Sequence, residues 1–538
     1  MQQPMQPNAA IAAVAILSRR SPKDRDVLSA LTQLRALLRD EKQLTAVIQA
    51  GAIEALQAIL VGTRRPVIRA QAADALADIS CGGIALQRET FYHADSPAAA
   101  AALQAAASTG AIPLLCGLLA DGNGVVRTAV ARALAGFIRG SRATAQAVVA
   151  AGAIPLLCGL LEDSCGDARG AAAWALEGVT ATRGGARAAV AAGAVPLLCG
   201  LLADGSGAVR GAAAMALARI GSNGAAAAVA DAEAIPLLRG MLADASGGAR
   251  AAAAWAFAAL SLDAAHSQLV AAAGVIPLLC GMFADGCANA ATAAVVAVSH
   301  ICSKSLPLAQ GAADAGAIPL LCDRLHGSGE AAARAVAGAA AAFASMSAFS
   351  TALAQAVVDA GALPRLCGLL ADASCDVEGA AFAALFCIYS SGDALAQAVV
   401  SAGALPRLRG MLADDNADTQ LAALQALVCS ISSHVDHRSV TQAVIDVGAL
   451  PLLRNHLSSP VSASRLEAFV VLTDVSSEQP DAVVDAVPIS LLCGGLTDAK
   501  ADVRRFAADV FVNLSTRSAA LAQAITSLIE RWIASGLL

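Results

Sequence analysis

The chain has 538 residues, 57% of them hydrophobic and only 3% aromatic, with a formal net charge of −6. A core so poor in large side chains must be built from many close contacts between small ones, chiefly alanine, and alanine is the strongest helix former. The arginines stand singly or in pairs such as Arg64-Arg65, with no basic run that would neutralise a phosphate backbone, so nucleic acid is excluded as a partner.

At the N-terminus the apolar run Ala9 to Leu17, followed by Arg19 and Arg20, has the outline of a targeting peptide. Asp24, Asp26 and a helical pattern follow at once, and no targeting segment is expected. Residues 1–26 are therefore assigned to an extension, and 27–50 to an N-terminal helical cap made of one long and one short helix. From 51 onward one phrase recurs: Gly152-Ala153-Ile154-Pro155-Leu156-Leu157 is a complete copy, with prolines again at 113, 196, 236, 277, 319, 364, 406, 451 and 488 and Glu54 in the proline's place in the first copy. The steps between these marks are 59, 42, 41, 40, 41, 42, 45, 42, 45 and 37 residues, a period that belongs to stacked helical repeats.

The glycine three residues before the proline closes one helix, and the proline suits the first turn of the next, where its missing N–H lacks an intrahelical partner in any case. Glu233 and Asp485 replace that glycine in two repeats, so those joints must bend differently or force a side chain into positive φ. Each unit resolves into a short helix such as 144–151, a second starting at the proline, and a long third such as 125–138. In that third helix Val126, Val130, Leu134 and Phe137 make a core-facing stripe while Arg127, Arg132 and Arg139 point elsewhere. The expected fold is an all-α solenoid of about eleven three-helix repeats over 51–515, closed by a capping helix in 516–538.

Several features besides the repeat phrase bear on chemistry. The 59-residue step carries an insertion at 82–108 with Phe91 and Tyr92, an aromatic pair that either anchors a partner or folds back on its own solenoid. The longest uncharged stretch, Ala335 to Val358, contains five hydroxyl or amide side chains and a turn placed near Ser347, which argues against a membrane span. His434 and His437 lack a second pair of ligands, so neither a metal nor a cofactor is expected. Of the fourteen cysteines, seven share the third place after the proline (116, 158, 199, 280, 322, 367 and 493), as packing residues. Arg239, Arg409 and Arg454 fill the same place elsewhere, which puts it at the solvent border and leaves a few thiols open to modification. Gly122-Asn123-Gly124 and Gly205-Ser206-Gly207 join helices without a following lysine and read as turns. No nucleophile with a local base stands out, and no catalytic residue is assigned.

The phrase at 152–157, with Ala173-Trp174-Ala175-Leu176 in the third helix after it, resembles the armadillo repeat family, a right-handed solenoid whose three-helix unit sets it apart from two-helix HEAT arrays. The resemblance implies that third helices line the inner surface and hold protein partners there. Import adaptors of the importin alpha type use a tryptophan and an asparagine four residues apart; here the tryptophan place holds Asp74, Arg132, Trp174, Met215, Trp255 and Asp509, while the asparagine place holds Asp78, Gly136, Gly178, Arg219, Ala259, His300, Cys387, Cys429 and once Asn513. That leaves import as the alternative. Val298-Ser299-His300-Ile301-Cys302-Ser303-Lys304-Ser305 with Leu308-Ala309-Gln310, and Leu395-Ala396-Gln397-Ala398-Val399-Val400, resemble armadillo scaffolds of the ciliary central apparatus, of the sperm-associated-antigen type. The implied function is a non-enzymatic scaffold or adaptor in the cytoplasm or axoneme. Its partners would be proteins, axonemal or microtubule-associated ones among them, and its candidate contacts Arg132, Trp174, Arg219, Trp255, His300, Phe91 and Tyr92.

Overall fold

A computed structural model of the chain describes residues 8–19, 23–38, 41–80, 104–105, 108–326, 330–370, 374–404, 410–413, 419–421, 423–425, 427–428, 437–446 and 448–517, with 523 and 527. Phe91 and Tyr92 of the insertion, the His434 and His437 side chains and nearly all of the 516–538 cap lie outside the described residues. Among the described residues there is helix and turn but no strand, and the fold is an all-α repeat solenoid. The chain divides into two compact units, Met1–Leu262 and Asp263–Leu538.

The first unit opens with α1 (Asn8–Leu17), α2 (Asp24–Leu38), α3 (Glu41–Gln49), α4 (Ala52–Gly62) and α5 (Pro66–Ser80). Helix α1 lies in the stretch read as an extension, yet it buries Ala10, Ala13, Val14 and Leu17 and packs on α2, α3 and α4. After the insertion come α6 (Ala111–Leu118), α7 (Gly124–Gly140), α8 (Arg142–Ala150), α9 (Ala153–Leu160), α10 (Gly166–Val179), α11 (Arg183–Ala191) and α12 (Ala194–Leu201). The unit ends with α13 (Gly207–Ile220), α14 (Ala226–Asp231), α15 (Ala234–Met241) and α16 (Gly247–Leu260). The long helices α2, α5, α7, α10, α13 and α16 pack side by side, each against the next, and form one continuous layer.

Small residues make that layer possible. Val126, Val130, Leu134 and Phe137 are fully buried, and between them Ala129 and Ala133 let neighbouring helices approach closely. At Gly178 a Cβ would stand 2.6 Å from Ile138 Cγ2, so α7 and α10 are in contact at a distance that even alanine would break.

The joints follow the glycine logic. Gly51, Gly110, Gly152, Gly193, Gly274, Gly316, Gly361, Gly403 and Gly448 all adopt positive φ. The next helix starts at the small residue rather than at the proline, which sits two residues further on, as in α9, still within the first turn. The two irregular joints resolve in opposite ways. Glu233 is forced to φ 54, the one non-glycine residue in that region among those described. Asp485 stays inside the helix Pro480–Ala486, and the chain leaves it through extended Val487.

In the second unit, Ala288–Cys302, Glu330–Phe349 and Cys375–Ser390 pack side by side, as do Ser462–Glu478 and Ala501–Arg517. Glu330–Phe349 is unbroken, which corrects the turn expected near Ser347: Ser345 bonds back to Ala341 O within the helix, Ser347 is buried, and the chain turns only at extended Ser350. Its window Ala332–Phe349 is long and apolar enough to cross a membrane, and 56% of that window is buried inside the fold.

A second correction concerns the repeat-position cysteines. All seven are buried, and burial pushes the thiols of Cys116, Cys199 and Cys280 up to about 11. Arg239 reaches solvent from the same place because its stem is long, whereas a thiol there does not.

Candidate interaction face

The long-helix layer of the first unit presents one row of side chains per helix. Where the repeat register puts the tryptophan place, Asp74, Arg132, Trp174, Met215 and Trp255 are all half-buried or exposed, while the residues before and after them along each helix are buried. A helix shows one face at spacings of three and four, so this row and its partners four residues on form a strip across α5, α7, α10, α13 and α16.

Two ion-pair clusters organise the strip. In the first, Asp74 Oδ1 accepts from Arg132 Nη2 at 2.7 Å, while Arg35 of α2 donates to Asp78 Oδ2 at 2.6 Å and lies 3.4 Å from Asp74. Burial lifts the Asp74 carboxyl above its ordinary range against the pull of Arg132 and Arg35. In the second, Glu177 of α10 is only 2% exposed and accepts from two arginines, Arg139 Nη2 of α7 at 2.9 Å and Arg219 Nε of α13 at 3.0 Å. The Arg139 guanidinium also sits 4.9 Å from the ring centroid of Trp174, which remains 36% exposed. Arg139 was no candidate contact in the sequence; its signal is the third-helix position that it shares with Arg132, two turns on.

Of the expected contacts, Trp174 and Arg219 therefore meet in one cluster through Glu177, Arg132 belongs to the other, and Trp255 is half-buried on α16. His300 is half-buried on Ala288–Cys302 of the second unit. The asparagine place is closed by packing at two of these helices: Gly136 is buried, and Gly178 has no room for a side chain beside Ile138.

A further set of residues escaped the sequence reading. Arg127 Nε donates to Asp163 Oδ2 at 2.6 Å, Arg169 Nε to Asp204 at 2.8 Å and Arg210 Nε to Asp244 at 2.6 Å, so each long helix is tied to the turn of the next repeat; Arg69 bonds Asp121 likewise. Each arginine of the first three also donates through Nη1 to the carbonyl of the aspartate six residues earlier in its own repeat, as Arg127 does to Asp121 O at 2.7 Å. The aspartates' second oxygens accept the N–H two residues on, at 2.8 to 2.9 Å. In the second unit Arg465 and Asp498 repeat the pair at 2.6 Å. The signal was present as a fixed six-residue spacing, Asp121/Arg127, Asp163/Arg169, Asp204/Arg210 and Asp244/Arg250.

This ladder runs through the stretch where a known family becomes recognisable. Residues 154–258 match a family model of HEAT repeats. The match begins in α9 and ends in α16, a region where each unit has three helices rather than two. No curated protein matches the chain. Among solved structures, the crystal structure of an engineered protein from the Northeast Structural Genomics Consortium is similar at 26% identity and a TM-score of 0.59, over 79% of this chain and 99% of that one. The chain is a helical repeat solenoid of the kind typical of protein-interaction scaffolds. No group of three or more metal-ligating side chains occurs among the described residues.

Proposed function

We propose that the chain is a non-enzymatic scaffold that holds a protein partner against the exposed strip of its long helices in the first unit. The observation that carries this reading is Trp174, a large aromatic held 36% exposed in a layer built almost wholly of alanine. A partly exposed tryptophan paired with an arginine is the kind of side-chain set that anchors a protein partner. Arg139 stacks on the ring and fixes it in place. Trp255 extends the strip by two helices.

The three-helix unit and its glycine-proline joints favour the armadillo type of solenoid within the helical repeats. An axonemal or other cytoplasmic partner belongs to the same proposal and rests on the phrases at 298–305, 308–310 and 395–400. In these phrases Val298, Ile301, Cys302, Leu308, Ala309, Leu395 and Val399 are buried, so they speak for a shared repeat design more than for a shared contact. Import of basic signals fits less well, since Gly136 and Gly178 leave no amide to hold a peptide backbone. Trp174→Ala and Trp255→Ala test the strip: partner binding is expected to weaken in either variant, and binding unchanged in both would move the contact elsewhere. Co-purification with axonemal proteins is the result expected for the ciliary assignment; recovery of import substrates in their place would displace it.

A further inference from the structure

The cluster around Glu177 has a chemistry of its own. Two guanidinium groups, Arg139 and Arg219, share the single carboxylate of Glu177. Both arginines keep contact with solvent, with side chains 41% and 33% exposed. Trp174, Glu177 and Gly178 lie at i, i+3 and i+4 on one face of α10, so the indole stands beside a stretch of helix that carries no side chain. Half-buried Met215 lies on the adjacent helix α13, one turn before Arg219.

Arg219 is also held by its backbone. The helix α13 ends in a kinked joint, Gly221–Ala225, with Gly224 at φ 90, and Asn223 Nδ2 donates both to Thr180 O of the neighbouring repeat at 2.9 Å and to Arg219 O at 3.0 Å. The same arginine is therefore fixed at its carbonyl by Asn223 and at Nε by Glu177. Donors ordered before binding lose less entropy on binding.

We propose that this cluster docks an extended peptide segment of the partner through one carboxylate side chain next to an apolar one, the carboxylate meeting Arg139 and Arg219 and the apolar group covering Trp174. The inference rests on the reading of this strip as the partner face and names the chemistry that the face selects. Charge complementarity decides the occupant: a lysine- or arginine-rich segment meets the Arg139 guanidinium, whose side chain is 41% exposed, and is repelled, whereas a carboxylate pairs with it.

Fluorescence anisotropy of the full chain with labelled octapeptides tests it. The probes are Gly-Ser-Glu-Leu-Glu-Leu-Ser-Gly, the same peptide with lysine for glutamate, and the same peptide with serine for leucine. The acidic-apolar probe is expected to bind, more weakly as salt rises from about 50 to about 300 mM, and the other two to bind much less. Arg139→Gln is expected to weaken the acidic probe about tenfold or more, Trp174→Ala comparably, and Arg139→Lys to retain more binding than Arg139→Gln. If Arg139→Gln folds poorly by circular dichroism, Met215→Glu, which adds a competing carboxylate one turn from Arg219, is expected to abolish probe binding instead. Equal or tighter binding of the lysine probe would overturn the inference, as would binding of neither probe. Displacement of the acidic probe by inorganic phosphate at low millimolar concentration would reassign the cluster to phosphate and overturn it too. Each of these failures leaves the strip itself open to the separate tryptophan test, where loss of partner binding in Trp174→Ala would still uphold it as the partner face.

Discussion

Replacing Asp204 by asparagine removes one rung of the Arg–Asp ladder with little change of shape. The carboxylate accepts from Arg169 Nε at 2.8 Å, from Arg169 Nη2 at 2.5 Å and from Ser206 N at 2.8 Å, and its side chain is 6% exposed against 23% for the arginine. Asparagine keeps an oxygen for Ser206 but loses the charge-assisted pair, worth about 1.5–3 kcal/mol. It also leaves a mostly buried guanidinium without its counter-ion, a loss that reaches about 3–5 kcal/mol at fully buried sites. Arg169 still reaches Asp163 O at 2.8 Å and some solvent, so we expect the lower end, about 2–3 kcal/mol. Arg504→Gln is the control: Arg504 is exposed and bonds carbonyls at Asp498 and Ala499, and its loss is expected to cost below about 1 kcal/mol. The assay is urea denaturation followed by far-UV circular dichroism, with hydrogen exchange to locate the change, because repeat arrays can open piecewise. In a double-mutant cycle with Arg169→Gln the two losses should fall short of additivity by about 1 kcal/mol or more. A cost for Asp204→Asn no larger than that of Arg504→Gln, or strict additivity, would refute the claim that the ladder ties repeats together.

The same ladder sets an acid limit. The bond from Arg127 holds the Asp163 carboxyl below its ordinary range, as Arg210 does for Asp244 and Arg465 for Asp498. A carboxylate whose folded pKa is lowered contributes stability that is present above its unfolded pKa of about 3.9 and lost as pH falls through the folded value. Urea midpoints should therefore hold between pH 7 and 5 and fall steeply below about pH 4, less steeply in Asp163→Asn; a flat acid limb would contradict this. The repeat-position thiols, raised by burial, should resist a thiol-specific reagent at neutral pH in the folded chain and react on unfolding. Rapid labelling of Cys116 or Cys199 in the native state would show that burial to be wrong. Glu233→Gly should stabilise the chain by about 0.5–1 kcal/mol by relieving φ 54, whereas Asp485→Gly, inside a helix, should not stabilise it and can cost up to about 1 kcal/mol. Equal effects in a melting experiment would mean that the two joints are alike after all.

The sequence carried the periodic features well and the pairwise ones poorly. A glycine that must take positive φ and a stripe such as Val126, Val130, Leu134 and Phe137 are fixed by local geometry, and each recurs about ten times, so register alone exposes them. Glu233 and Asp485 broke the same rule, but which of them strains and which re-routes depends on whether the preceding helix can extend, and that is decided by packing. The turn falls at Ser350 rather than Ser347 because Ser345 bonds back to Ala341 O and Ser347 is buried inside the helix, which packing and not sequence decides. The fate of the candidate contacts was least legible. Arg132 and Arg219 look alike in sequence as free cations of a groove, yet one is bound to Asp74 and the other to Glu177, carboxylates 58 and 42 residues away. Arg139 acquires its role from Trp174, which only the side-by-side packing of α7 and α10 brings within reach.

The claim on which the account turns is that partners meet the long-helix strip. A photoreactive amino acid placed at Met215 or Ala259 of the strip, and in parallel at Leu156 or Leu237, exposed leucines of the second helices α9 and α15, compares the two faces in one experiment. The account predicts partner adducts from positions 215 and 259 and none from 156 and 237. Adducts from the leucine positions alone would place the partner on the opposite helices and contradict it.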